Sequence, residues 1–209
     1  MTDKPCTTFS MRWMKMTNSE IEARAAAMLD RYVQRGGVHK KWPQIMKGEG
    51  IKHRAIHPSG TDSFLGALTR APNGQWYIMT NADIENPGRL NFTIAHELGH
   101  YALGHNLHES AFFCSEDSII EDGGTASAME REANHFATCL LMPEDKLRRA
   151  FTSMLQNSHR TRQTDSLNVN NSTFRIWCGI RKDLTNRYGV SETALRYRLQ
   201  SLRLACFSF

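Results

Sequence analysis

The chain has 209 residues, of which 40% are hydrophobic, so it can bury a proper core as one domain or as one domain with a small appendage. Its formal net charge of +5 is compatible with nucleic-acid contact but does not by itself indicate it. The five scattered cysteines form no C-x-x-C pair, which argues against a disulfide framework, and the lack of a long apolar stretch favours a cytoplasmic protein without membrane association.

The first predicted element is a helix that follows a loose N-terminal segment. Residues 1–17 are polar and rich in methionine, and we expect them to be flexible. Ser19 can cap a helix that runs to Gln34, because Gly36-Gly37 follows directly. The buried stripe of this helix is predicted to be the apolar set at helical spacing, namely Ile21, Ala25, Met28, Leu29 and Tyr32.

Three short strands are predicted next. Ile51–Ile56 forms the first, and Phe64–Thr69 and Gln75–Thr80 form a hairpin, because the Asn73-Gly74 pair between them is a strong turn signal. Together they predict a small antiparallel sheet. Trp76–Thr80 is a candidate edge strand that could pair with an extended substrate; the alternative is a strand internal to the core.

The segment Arg89–Gly104 is predicted to be a helix. Pro87-Gly88 precedes it, Asn91 is a plausible N-cap, and Gly104 stands where a helix-ending glycine belongs. An apolar set at helical spacing allows burial along one side, and it consists of Phe92, Ala95, Leu98, Ala102 and Leu103.

This helix carries the sequence His96-Glu97-Leu98-Gly99-His100. Histidines four residues apart project from one helix face and can bind a single Zn²⁺ ion. Glu97 lies between them, where its carboxylate can reach a water molecule rather than the metal, as in zinc hydrolases with a glutamate general base. The alternative is that both histidines belong to an ordinary core helix. Tyr101, His105 and His108 are candidates for stabilising a transition state, although solvated loop histidines are the simpler interpretation of the last two.

A helix over residues 127–142, ended by Pro143, supplies the third metal ligand. At about 100° per residue, Glu130 falls inside its apolar arc and Glu132 falls outside it. A carboxylate on a buried face is costly unless a cation binds it, so Glu130 is the predicted ligand. The alternative is a capping box between Ser127 and Glu130, with Glu132 as the ligand.

Two further residues of this helix are assigned from the same helical wheel. Asn134 follows Glu130 by one turn and could orient a metal ligand. His135 falls on the polar side and is expected to be solvated.

The remainder of the chain is predicted to be mainly helical. A helix follows Pro143 to about Leu155, and the polar residues 156–172 are interpreted as a linker or surface loop. Gly189 to Ser191 breaks the last helical segment, with Ser191 capping Glu192–Leu204. The final helix is expected to bury Leu195, Leu199 and Leu202 and to point Arg196, Arg198 and Arg203 elsewhere. This layout resembles a helix-turn-helix element, which serves either DNA binding or the docking of a partner or of the core.

Taken together, the motifs resemble the ImmA/IrrE family of zinc metallopeptidases. The matching segments are Arg89-x-Asn91-Phe92-Thr93-Ile94-Ala95-His96-Glu97-Leu98-Gly99-His100, Glu130-x-Glu132-Ala133-Asn134-x-Phe136-Ala137 and Leu140-Leu141-Met142-Pro143. The resemblance runs from about Ile51 to Pro143 and more weakly into the C-terminal third. It implies that His96, His100 and Glu130 bind zinc and that Glu97 is the catalytic base. It also implies cleavage of helix-turn-helix repressors of mobile elements or stress regulons in bacteria. The long acidic stretch 105–126 departs from the family pattern and could reshape the substrate cleft.

The resulting expectation is an α+β protein with a mainly helical, zincin-like domain, a small antiparallel sheet and a C-terminal, helix-turn-helix-like subdomain. The predicted divisions are a flexible segment 1–17, a metallopeptidase domain 18–155, a linker 156–172 and a helical subdomain 173–209. We expect a Zn²⁺-dependent endopeptidase that acts on a protein, a repressor by resemblance, with weak DNA contact through the last helices. The alternatives are a DNA-binding module and a non-catalytic regulator whose zinc takes Cys114 or Cys139 as a fourth ligand.

Overall fold

The α+β, mainly helical architecture predicted from the sequence is confirmed by the computed structural model, which describes residues 15–33, 41–58, 64–105, 111–115, 127–158 and 165–208. The described helices are α1 (Asn18–Tyr32), α2 (Trp42–Gly48), α3 (Pro87–Leu103), α4 (Ala128–Leu141), α5 (Glu144–Ser158), α6 (Phe174–Tyr188) and α7 (Glu192–Ser201). The strands are β1 (Ile51–Ile56), β2 (Phe64–Arg70), β3 (Trp76–Asn81), β4 (Ala111–Ser115), β5 (Leu167–Val169) and β6 (Ala205–Phe207). Most of the segment 1–17, and His108, lie outside the described residues. None of the described helices combines the length and the apolar character needed to cross a membrane.

Helix α1 begins with a different cap from the predicted one. Thr17 caps it instead of Ser19, because Thr17 and Glu20 form both halves of a capping box: the Thr17 hydroxyl accepts from the Glu20 N–H, and the Glu20 carboxylate accepts from the Thr17 N–H. The predicted buried face is present. Ile21, Ala25 and Met28 are buried, and the other two predicted members are half-buried.

The sheet has the strand order β1-β3-β2-β4. The predicted hairpin of β2 and β3 is antiparallel, but β1 runs parallel to β3, so the sheet is mixed. The prediction of Trp76–Thr80 as an edge strand is wrong, because β3 is paired on both sides and its Ile78 and Thr80 are buried. The alternative, an internal strand, is correct. Among the described strands, β1 and β4 form the edges of this sheet.

Helix α3 starts two residues earlier than predicted. Asn86 caps it by accepting from the N–H groups of Gly88 and Arg89, and Pro87 supplies a first helical residue with a suitable fixed φ. Asn91, the predicted cap, lies inside the helix, where it accepts from the Trp42 indole and donates to the Gly189 carbonyl. Gly104 ends the helix in the left-handed conformation, as predicted.

Burial of α3 is more complete than one apolar stripe suggests. All residues from Phe92 to His100 are buried, because α3 lies between the sheet, through β2, and helix α4. The polar groups of the motif therefore lie inside the core rather than at its edge.

The C-terminal segment contains two strands that were not predicted. β5 lies within residues 156–172 and pairs in parallel with β6, with Leu167 and Val169 buried, so this part of the predicted linker or surface loop is a strand. The break at Gly189 and the cap at Ser191 are as predicted. Arg198, expected on an outer face, is instead buried and donates to the Met142 carbonyl.

The hydrophobic core runs through the whole described chain. One cluster of buried residues includes members of every helix from α1 to α7 as well as both short C-terminal strands. The predicted division into a metallopeptidase domain and a C-terminal subdomain stays a prediction.

A close backbone approach aligns α3 with α4. A Cβ atom added at Gly99 would lie 3.1 Å from both the Cα and the carbonyl oxygen of Ala133 and 3.3 Å from the Phe136 ring. These are closer than side chains normally approach backbone atoms, so the absence of a side chain at Gly99 sets the distance between the two helices.

We expect Gly99→Ala to destabilise the protein relative to Gly179→Ala by about 1–3 kcal/mol. Both glycines lie inside helices, so both changes gain the same helix propensity, about 0.8–1.0 kcal/mol. A Cβ at Gly179 meets no atom within 4 Å, so only Gly99→Ala forces the helices apart. Denaturant unfolding of the metal-free proteins measures the difference, and equal stabilities of the two variants would contradict the close-approach argument.

Candidate metal centre

Three predicted ligands converge between α3 and α4. His96 Nε2 lies 3.0 Å from His100 Nε2 and 3.1 Å from Glu130 Oε2, and His100 Nε2 lies 3.4 Å from Glu130 Oε1. Zinc bonds of about 2.0–2.2 Å at tetrahedral angles place such donor atoms about 3.4 Å apart. The arrangement is therefore compact enough for one ion to reach all three side chains.

Glu130 faces the histidines rather than its own helix terminus. Ser127 caps α4 by accepting from the Glu130 N–H, at 3.2 Å, which is one half of the capping box. The Glu130 carboxylate points to the two imidazoles. It therefore does not form the other half of the capping box, in which it would accept from the Ser127 N–H. The carboxylate therefore lies where a cation held by the two imidazoles would reach it.

Asn134 orients His96. Its side-chain oxygen lies 2.8 Å from His96 Nδ1 and can only accept, so Nδ1 carries the proton and Nε2 presents a lone pair to the centre. This is the role that the helical wheel suggested for Asn134, one turn after Glu130.

A hydrogen-bonded chain behind His100 fixes its tautomer in the same sense. Glu132 Oε2 lies 3.1 Å from His105 Nε2, and His105 Nδ1 lies 3.1 Å from His100 Nδ1. A carboxylate that accepts from His105 Nε2 leaves His105 Nδ1 as an acceptor, so His100 Nδ1 must donate. Burial lowers the pKa of both His100 and His105 to about 4, which keeps both rings neutral at pH 7. His100 Nε2 therefore also presents a lone pair.

These contacts make the centre suitable for a cation. Two imidazole lone pairs 3.0 Å apart repel each other unless a positive ion lies between them. Among the described residues, Glu130 Oε2 and both Glu97 oxygens are buried, and with the tautomers above no side chain donates a hydrogen bond to them. Unpaired buried carboxylates are costly, and a divalent ion removes that cost. The residues present fit a bound Zn²⁺.

Glu97 is fully buried beside the three converging side chains. It does not belong to the cluster of His96, His100 and Glu130, whose donor atoms all lie within 4.8 Å of one another. Strand β2 passes next to Glu97, since a Cβ atom added at Gly66 would lie 3.4 Å from Glu97 Oε1. Burial raises the pKa of Glu97 to about 8, although the nearby His96 opposes the shift. Its carboxyl group is therefore poised to exchange a proton near neutral pH.

Several predictions about neighbouring residues are wrong. Glu132, placed on an outer face by the helical wheel, is buried, because His105 and the Met16 N–H cover it. His105 is buried against His100 rather than solvated. His135 is half-buried against Glu22 on α1.

The remaining candidates are also accounted for. The Tyr101 hydroxyl donates to the Glu49 carbonyl at 3.2 Å, and both His105 nitrogens are engaged by neighbours, so neither side chain is held ready for a substrate. Cys139 contacts Glu22 and His135 rather than the centre, which removes it as a fourth ligand. Of the other proposed fourth ligand, Cys114, the described structure gives only the backbone in β4.

Comparison with known proteins shows the family to which the chain belongs. A family model described as the IrrE N-terminal-like domain, a peptidase family, matches residues 55–200. Among solved structures, a Mycobacterium tuberculosis transcriptional regulator is similar with a TM-score of 0.54 and 18% sequence identity, which shows a shared fold alone. The match covers 87% of this chain and 46% of the regulator, so the chain spans less than half of that protein's length. No curated protein matches the chain.

We expect Glu132→Gln to weaken zinc binding by His96, His100 and Glu130, which together form the His96 centre, by about 10–100-fold. The Met16 N–H needs an acceptor, so the glutamine oxygen turns to Met16 and its NH₂ group turns to His105. That reverses the hydrogen-bond chain and places a proton on His100 Nε2, where the ion should bind. Competition with a chelator measures the affinity. Glu49→Gln, at a carboxylate that binds Arg31 and Tyr32, is the matched control, and equal affinities would refute the orienting role of Glu132.

Proposed function

The chain belongs to the IrrE N-terminal-like family of peptidases, and on that premise we propose that it is a zinc-dependent endopeptidase. The observation that carries the proposal is the convergence of His96, His100 and Glu130 beside Glu97, a fully buried carboxyl group. Two imidazoles and one carboxylate are the ligand set of catalytic zinc sites that keep a position open.

The side chains of this centre divide the work between binding and proton transfer. His96, His100 and Glu130 would hold the ion, which when bound supplies Lewis acidity to a scissile carbonyl and to a water molecule. Asn134 and the His105–Glu132 pair hold the two imidazoles with their lone pairs inward. Glu97 accepts the proton of the attacking water and delivers it to the leaving amine.

The environment of Glu97 sets which protonation state takes part in that proton transfer. A carboxylate with an ordinary pKa is a weak base at neutral pH and holds a proton only briefly. Without a metal, burial raises the pKa of Glu97 to about 8. A divalent ion bound beside it would favour the ionised form, which is the form that accepts a proton from water.

We propose strand β4 as the edge that holds the substrate. β4 pairs with β2 on one side only within the described residues, and β2 carries Gly66, which lies against Glu97. A substrate segment added to the free edge of β4 would be held by main-chain hydrogen bonds, as in other cases of strand addition. The other edge, β1, is separated from β2 by β3.

We further propose that the substrate is a helix-turn-helix transcriptional repressor. The support is the resemblance to the ImmA/IrrE family. The solved structure named a transcriptional regulator shares the fold and is consistent with this assignment. Arg198, one of the three arginines expected to point away from the core face of the last helix, is buried, so its side chain is not available for DNA contact.

We expect Glu97→Gln to lower peptide cleavage by about 10²–10⁴-fold, the usual range for a general base, while zinc binding is retained. His96→Ala should lose both zinc and cleavage, because it removes a ligand. Zinc content by elemental analysis and fragment release by mass spectrometry are measured on the same samples. Cleavage by Glu97→Gln at the unmodified rate would refute the role given to this carboxylate.

The substrate is tested separately. The purified zinc-loaded protein is incubated with the repressor encoded next to it, and mass spectrometry reports the bond that is cut. We expect defined fragments with the unmodified protein and none with Glu97→Gln. An intact repressor, under conditions where an unstructured protein such as casein is cut, would reject the substrate class but not the peptidase activity.

A further inference from the structure

A second group of metal-binding side chains lies on a different face of α4. His135 and Cys139 are one turn apart, about 140–180° around the helix axis from Glu130, and Glu22 of α1 packs against them. We propose that Glu22, His135 and Cys139 form a second metal site, separate from the His96 centre, that binds Zn²⁺ or a similarly thiophilic divalent ion.

The donor atoms stand at nearly the separations that a tetrahedral ion requires. His135 Nε2 lies 3.3 Å from Glu22 Oε1 and 3.6 Å from Cys139 Sγ, and the sulfur lies 4.0 Å from Glu22 Oε1. Zinc bonds of about 2.3 Å to sulfur and about 2.0–2.2 Å to nitrogen or oxygen give about 3.4 Å for N···O and about 3.6 Å for the two distances to sulfur. The longest of the three involves Glu22, the most exposed of the group, whose side chain is 41% exposed and can rotate to close the gap.

The chemistry of the three donors selects the ion. A thiolate and an imidazole bind zinc well, whereas Mg²⁺ and Ca²⁺ prefer all-oxygen surroundings. Burial raises the pKa of Cys139 to about 11, so without a metal the sulfur is a thiol at neutral pH and metal binding must displace its proton. The exposure of Glu22 gives an ion a path into the site and leaves room for water as a fourth ligand.

The neighbouring Arg198 is compatible with a bound ion. Its guanidinium is buried, donates to the Met142 carbonyl and lies 3.8 Å from Glu22 Oε1. The Glu22 carboxylate and the Cys139 thiolate together neutralise a divalent ion, so Arg198 faces a neutral complex instead of a bare cation. Without a metal, Glu22 is the one anion among these three ligands near Arg198. Metal binding converts Cys139 to a thiolate and so places a second anion near this guanidinium.

An ion at this place would tie α1 to α4. Glu22 belongs to α1 and the other two ligands to α4, which also carries Glu130 and Asn134 of the His96 centre. The second site is therefore a structural clamp on the helix that supplies the third ligand of the first.

Cobalt substitution distinguishes the two sites, because a thiolate bound to Co²⁺ gives a near-ultraviolet charge-transfer band that a His/His/Glu site lacks. We expect the reduced, metal-free full-length protein to bind two equivalents of Co²⁺ and to develop this band. Cys139→Ser should bind one equivalent without the band. Cys178→Ser removes a thiol outside the cluster and should keep both equivalents and the band.

The His96→Ala variant separates this inference from the proposed function. It should lose one equivalent and retain the band, whatever the outcome of the cleavage assays. If Cys139→Ser loses its helical circular dichroism, Glu22→Gln replaces it and should require at least about tenfold more Co²⁺ to develop the band. A folded unmodified protein without the band, a band that persists in Cys139→Ser, or an unchanged titration in Glu22→Gln would show that the cluster is a hydrogen-bonded network without metal.

Discussion

The burial of polar groups between α3 and α4 is the constraint on which the rest of the structure depends. His96, Glu97 and His100 are at most 1% exposed, inside a layer that would otherwise be apolar. Each unpaired charge in such a place costs several kcal/mol. The structure offsets that cost in two ways. On its outer side each imidazole donates a hydrogen bond, His96 to Asn134 and His100 to His105, which Glu132 holds in turn. On the inner side, lone pairs and carboxylate oxygens form a set that a cation satisfies.

The parts of this centre that the sequence predicts are those set by local geometry. The spacing of His96 and His100 places them on one face of any helix, and the apolar arc of α4 places Glu130 toward the core. His105 and Glu132 could not be assigned in this way. Glu132 lies on a face of α4 that is polar in sequence. It is buried because Met16 and His105, which follows Gly104, cover it. Both of these contacts are far away in sequence.

Errors in the predicted fold have the same origin. Ser19 and Asn91 are residue types that cap helices, but Thr17 with Glu20, and Asn86 with Pro87, offer the chain a better-satisfied start nearby. The apolar and aromatic run of β3 beside an Asn-Gly turn indicates a strand in a hairpin, without indicating the strand on its other side. Strand order depends on the placement of β1, which pairs in parallel with β3 and converts a supposed edge into the middle of the sheet.

Helix α4 is the element through which these contacts act together. One face meets α3 at Gly99 and carries Glu130 and Asn134, and another carries His135 and Cys139 against α1. A shift of α4 along or about its axis would move Glu130 relative to two imidazoles that are held by α3. The Gly99 contact limits the approach of α4 from one side. The contacts of His135 and Cys139 with Glu22 of α1 restrain α4 from another side. The geometry of the first centre therefore depends on how firmly α4 is fixed between α1 and α3. A metal ion bound to Glu22, His135 and Cys139 would strengthen that restraint without contacting His96, His100 or Glu130.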